Sequence, residues 1–189
     1  MSGGAASGPE ASLRLFFGLP LPLEIARALT TWATGMLAGR PTVRIVAPED
    51  LHVTLAFLGQ RPYEELPVLR AALHAAADGR ERPLLTVERY RETRSVAMLA
   101  LTDTDGRAGR LQEYLVDRLE EAGVHEREHR PWFAHVTVAR LRERPRLRPL
   151  LPVLPAFSPS EAVLYRSLLH RGGARYERLE TARLTDGGG

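Results

Sequence analysis

The phrase His52-Val53-Thr54-Leu55-Ala56-Phe57-Leu58 returns 83 positions later as His135-Val136-Thr137-Val138-Ala139-Arg140-Leu141. A strand turns successive side chains to opposite faces. In each copy the His, Thr and Ala (52, 54, 56 and 135, 137, 139) are therefore expected on one face, with the apolar partners on the other. A half-buried strand that occurs twice calls for two similar halves, each donating one such strand. Brought face to face, the copies would gather two imidazoles and two hydroxyls around one small anion such as phosphate, with Ala56 and Ala139 leaving room beside them.

The rest of the chain supports this duplication. Residues 13–19 read as a buried strand closed by Pro20, and 22–37 as an amphipathic helix with Ile25, Leu29, Trp32 and Met36 on one stripe. A short strand is expected at 43–46. The first His strand should run from Leu51 to Leu58 and end at Gly59, followed by a helix over 63–77 and a strand over 84–90. The second half repeats the pattern, with a strand at 96–101, a helix at 107–122 and the second His strand at 132–140. Five prolines between Arg144 and Pro159 mark a connector rather than a strand or helix. Strands at 162–169 and 175–184, joined through Arg171-Gly172-Gly173, close the chain as a hairpin. The expected architecture is α+β, bilobal and pseudo-symmetric, with a cleft between the lobes. Residues 1–11 are expected to be a disordered tail, 12–185 a single bilobal domain, and 186–189 a flexible tail.

Composition narrows the chemistry. The 189 residues, 44% of them hydrophobic, suffice for a good core. No apolar run reaches bilayer length and the N-terminus lacks the order of a secretory signal, so a cytoplasmic protein without a membrane partner is expected. There is no cysteine, which excludes disulfides, thiolate catalysis and cysteine-ligated metals. All 26 basic residues are arginine, a bias more in keeping with a GC-rich genome than with function. The pI near 9.8 permits a polyanionic partner, but a net charge of only +3 points to a local basic cleft rather than a duplex DNA binder.

One His-x-Thr strand would mean little, since a lone His is usually a surface or satisfied core group. Two matched copies allow a base and an acid on opposite sides of a phosphorus centre. A two-His zinc site is the sharper competitor, but neither motif carries a carboxylate on its His face and a catalytic zinc usually takes a third protein ligand. Metal chemistry therefore ranks well below metal-free acid–base chemistry, and no cofactor is expected. His125 and His129 belong to a polar loop after Gly123; His74, on a helix, and His170, beside a turn, carry no assigned role. No Gly-x-Ser-x-Gly elbow is present, and Gly172-Gly173 is not followed by the Lys-Ser/Thr of a phosphate loop.

The two motifs resemble those of the two-histidine phosphoesterase superfamily, and specifically its RNA 2′,3′-cyclic phosphodiesterase branch, also called 2′-5′ RNA ligase or LigT-like. The likeness extends over residues 14–20, 51–59, 130–140 and the hairpin residues 164–167 and 173–177. The chain departs from the family at Ala134, where Pro is common before the second His; the strand ladder is expected to keep His135 in place. The resemblance implies antiparallel sheets forming a concave cleft with helices outside. It also implies metal-independent hydrolysis of RNA or nucleotide 2′,3′-cyclic phosphates to 2′-phosphates. A monomer is expected. By the same resemblance His52 is the proton donor and His135 the proton acceptor, with Thr54, Thr137 and Arg140 binding the phosphate. On simple alternation Arg140 would point away from His135. Phe57, Tyr90, Trp132 and Tyr165 are aromatic candidates for base stacking. The alternatives are a non-catalytic RNA-end or nucleotide-binding module and a 2′-5′ RNA ligase or phosphodiesterase.

Overall fold

The computed structural model describes residues 12–37, 39–170 and 173–186, without the side chains of 169 and 170. The expected tails at 1–11 and 187–189, and Arg171 and Gly172 of the expected turn, lie outside the described residues. The elements are β1 (Ser12–Pro20), α1 (Leu23–Leu37), β2 (Val43–Ile45), β3 (His52–Pro62), α2 (Leu66–Ala77), β4 (Leu85–Glu92), β5 (Val96–Asp103), α3 (Arg107–Glu121), β6 (His135–Leu141), β7 (Glu161–His170) and β8 (Gly173–Arg183).

All strands join one antiparallel sheet in the order β4-β5-β6-β3-β1-β7-β8, with β2 added to β6. The two halves meet in the middle. β1, α1 and β3 correspond to β5, α3 and β6, and the seam is the pairing of Val53 with Val136, both fully buried. Helices α1 and α3 reach across that seam, α1 packing against β2 and β6, and α3 against β3 as well as β5. The halves therefore share one hydrophobic core.

Helix α1 starts behind Pro22, with Glu24 in its first turn where an acid favours the helix dipole. Its buried row is Ile25, Leu29, Ala33 and Leu37. Trp32 lies at the side of that row and Met36 is 38% exposed, so the expected stripe is rotated by about one residue. Helix α3 is opened by Asp103, whose carboxylate accepts the N–H groups of Ala108 (3.2 Å) and Gly109 (2.8 Å).

Two strand boundaries differ from expectation by more than two residues. Strand β3 does not stop at Gly59, which takes a φ of +70° and pairs with Leu15 while the strand continues to Pro62. The second His strand begins at His135 rather than Trp132, because the indole of Trp132 is turned to donate to the carbonyl of Thr54, 2.9 Å away. The expected helix over 63–77 is a short 3-10 turn followed by α2. The proline-rich connector is irregular; Glu92 accepts the N–H groups of Arg146 and Leu147, and Trp32 donates to the carbonyl of Leu150.

Candidate active site

Antiparallel pairing of Val53 with Val136 sets His52 opposite Thr137 and Thr54 opposite His135. The four polar side chains thus form a reciprocal square on one face, while Val53, Leu55, Val136 and Val138 enter the core on the other. All four line a cavity of about 40 Å³ together with Asp50, Arg140 and Tyr176. The His residues come from neighbouring strands of one sheet.

Both imidazoles are oriented alike. His52 Nδ1 lies 2.7 Å from the carbonyl oxygen of Asp50, and His135 Nδ1 lies 3.1 Å from that of Phe133, two residues back in each case. A carbonyl only accepts, so each Nδ1 carries the proton. Nε2 of each ring is left for the shared cavity, as base when neutral and as acid when charged.

Their surroundings differ sharply. His52 sits among rings of Phe16 (centroids 4.7 Å apart), Tyr176 (5.1 Å) and Tyr165 (5.9 Å), brought by β1 and the β7-β8 hairpin. Burial pushes its pKa down to about 4, against the hydrogen bond to Asp50, and the charges of Arg140 and His135 add to the lowering. His135 instead contacts Phe133 (4.8 Å) and opens onto a depression of about 540 Å³ that includes Phe57, Trp132, His125 and His129. Burial raises the Asp50 carboxyl, partly offset by the backbone N–H of Tyr176.

Strict alternation fails one residue past each Thr, and this decides the membership of the site. The β1-β3 register slips between Phe17–Ala56 and Gly18–Thr54, leaving Leu55 as a bulge; the β5-β6 register slips between Ala97–Ala139 and Met98–Thr137, leaving Val138 as a bulge. Each bulge reverses the facing of the residues after it. Ala56 and Ala139, expected beside the His residues, are instead buried in the core. Phe57 and Arg140 turn to the cleft in their place, and both line a second depression of about 390 Å³ with His52 and Thr54. Arg140, expected to point away from His135, therefore shares the cavity with it.

Other sequence expectations are sorted by the same geometry. Tyr165 is only 5% exposed and packs on Phe16, so it is not open for stacking, while half-buried Tyr90 donates to Glu92 and lines a separate depression away from the two His residues. His74 pairs with Glu180 on the surface. Phe16, Asp50 and Tyr176, which surround His52, are site residues that the sequence reading does not single out; Phe16 and Tyr176 lie within the stretches 14–20 and 173–177 that carry the family likeness, but only the sheet order brings them to His52. Among the described residues no three His, Asp or Glu converge as metal ligands, and no helix is long and apolar enough to cross a membrane.

The profile of the family described as LigT like Phosphoesterase matches residues 19–94. The chain is 31% identical over 184 residues to an RNA 2′,3′-cyclic phosphodiesterase from Escherichia coli K12, covering 91% of this chain and 97% of that protein. A crystal structure of a Thermus thermophilus protein superposes with a TM-score of 0.79 at 30% identity, covering 93% of this chain and all of the other. The crystal structure of E. coli LigT complexed with 3′-AMP superposes with a TM-score of 0.77 at 26% identity and the same coverage.

Proposed function

This chain belongs to the LigT-like phosphoesterase family, and from that premise we propose that it hydrolyses 2′,3′-cyclic phosphodiesters of RNA ends or nucleotides to 2′-phosphomonoesters, without a metal. The observation that carries the reading is the reciprocal square, in which each imidazole faces the other strand's threonine with its Nε2 free.

Displacement at phosphorus needs the attacking and departing oxygens on opposite sides. In the proposed cycle His135 Nε2 takes a proton from water as it attacks phosphorus. His52 Nε2–H protonates the 3′ oxygen as its bond to phosphorus breaks. Thr54 and Thr137 donate to the non-bridging oxygens, and Arg140 balances the charge that develops there. In the free protein His52 is neutral at pH 7. Its acid form is favoured by the substrate itself, whose anionic phosphate beside the ring works against the burial that chiefly lowers the pKa and against the positive field of Arg140.

The test is turnover of a 2′,3′-cyclic mononucleotide in EDTA, with products separated against 2′- and 3′-phosphate standards. The expected result is the 2′-phosphate alone. His52→Ala and His135→Ala should each lower kcat by on the order of 10²–10⁴, and the double variant by much less than the product of the two losses. Binding without turnover, or a rate abolished by chelator, would refute the proposal.

A further inference from the structure

From Arg140 onward an arginine occupies every second position: Arg140, Arg142, Arg144, Arg146 and Arg148. The first lines the catalytic cavity and the other four are exposed. This run leaves the end of β6 and passes over the edge strand β4, where Arg144, Arg146 and Arg148 join Tyr90, Arg91 and Glu92 around a depression of about 520 Å³.

The loop is held in a particular shape. Glu92, its side chain only 2% exposed, accepts the N–H groups of Arg146 and Leu147, each at 2.8 Å, and the hydroxyl of Tyr90. Burial alone would raise the Glu92 pKa, but these hydrogen bonds and the charge of Arg144 hold it below the usual carboxylate range. Arg146 takes a φ of 54°, uncommon for a residue with a side chain, and its N–H is one of the two bound by Glu92. The buried Glu92 carboxylate is thus largely taken up by the backbone. Among the described residues Arg91, Arg142, Arg146 and Arg148 make no ion pair with an acid, although exposed Glu143 lies between Arg142 and Arg144 in sequence.

Arg91 connects this rim to the cavity. It pairs with Met98, and Met98 with Thr137, so Arg91 lies in the same cross-strand row as Thr137, two strand spacings or about 10 Å away. Its guanidinium lies over the ring of Phe133, 5.2 Å from the centroid, and that ring contacts His135.

We propose that Arg91 and the arginines of 142–148 form a track for single-stranded RNA, binding the phosphates on the 5′ side of the end held between His52 and His135. This rests on the phosphodiesterase reading, because a 2′,3′-cyclic phosphate lies at a 3′ end and the remaining chain must leave the cleft over one rim. Guanidinium groups spaced along one edge suit a single flexible strand, whose phosphates they can each engage bidentately.

The test compares wild type with the combined Arg142→Gln, Arg146→Gln, Arg148→Gln variant. One readout is anisotropy of a 5′-labelled single-stranded oligoribonucleotide across a salt series; the other is turnover of a 2′,3′-cyclic mononucleotide. The expected result is oligonucleotide binding weakened roughly 10- to 100-fold, with a salt slope shallower by about two, while mononucleotide kcat/KM stays unchanged. Lysines at the three positions should restore most of the binding. Unchanged oligonucleotide binding, an equal loss of mononucleotide turnover, or binding to anionic phospholipid vesicles without binding to RNA would each overturn the track. A wild type that turns over no mononucleotide would sink the phosphodiesterase reading alone, because the anisotropy series still decides the track.

Discussion

Phe57 and Arg140 hold equivalent positions in the two His strands, each delivered to the cleft by a bulge at the residue after the threonine. One half of the site thereby gains an aromatic surface, 45% exposed and covered by the guanidinium of Arg14 at 4.8 Å, and the other half gains a cation.

This asymmetry separates two substitutions. Arg140→Ala should lower kcat/KM on a 2′,3′-cyclic nucleotide by roughly 10- to 100-fold, the range for losing a charged hydrogen bond. Phe57→Ala should lower it by a similar factor if the base stacks there, since stacking is worth about 1–3 kcal/mol per base. Both side chains are exposed, so melting temperatures should stay near wild type. A loss of activity matched by a loss of stability would count against both roles.

The low pKa of His52 makes its own prediction. The acid limb of the kcat/KM profile should fall near 4 rather than near 6.5, because that profile reports the free enzyme. Arg140 lowers the value, so Arg140→Ala should move the limb upward. Stability changes with pH in a definite direction. Between about 6.5 and 4 the unfolded chain binds a proton at this position that the folded chain refuses, so the contribution is whole above 6.5 and is lost as pH falls toward 4. A shift of this size corresponds to roughly 3 kcal/mol. Denaturation of wild type and His52→Gln at pH 7 and 4.5 should show the difference; parallel losses in the two proteins would remove His52 as the cause.

Gly18 controls the placement of the His52 ring. A Cβ there would lie 3.1 Å from His52 Cδ2 and 3.1 Å from the carbonyl oxygen of Val53, so one of them must yield. Gly18→Ala should reduce kcat by roughly 10-fold or more, with a stability loss of about 1–3 kcal/mol from overpacking. Steady-state kinetics beside thermal melts would check this, and an unaltered kcat would show that the ring accommodates the methyl.

Local pattern was enough to read the duplicated His strands, the order of helices and strands, and the candidacy of His52, His135, Thr54 and Thr137, because period-two alternation and motif spacing are properties of short stretches of chain. It misplaced Ala56, Ala139 and the facing of Arg140. Alternation assumes an unbroken strand, and a bulge becomes visible only against the partner strand, here β1 for Leu55 and β5 for Val138. The difference between His52 and His135 arises in the assembled sheet. Phe16, Tyr165 and Tyr176 reach His52 from elements far apart in the chain, because β1 lies between β3 and β7 in the sheet. Desolvation depends on everything that displaces water from a ring, and no local pattern around His52 contains that information.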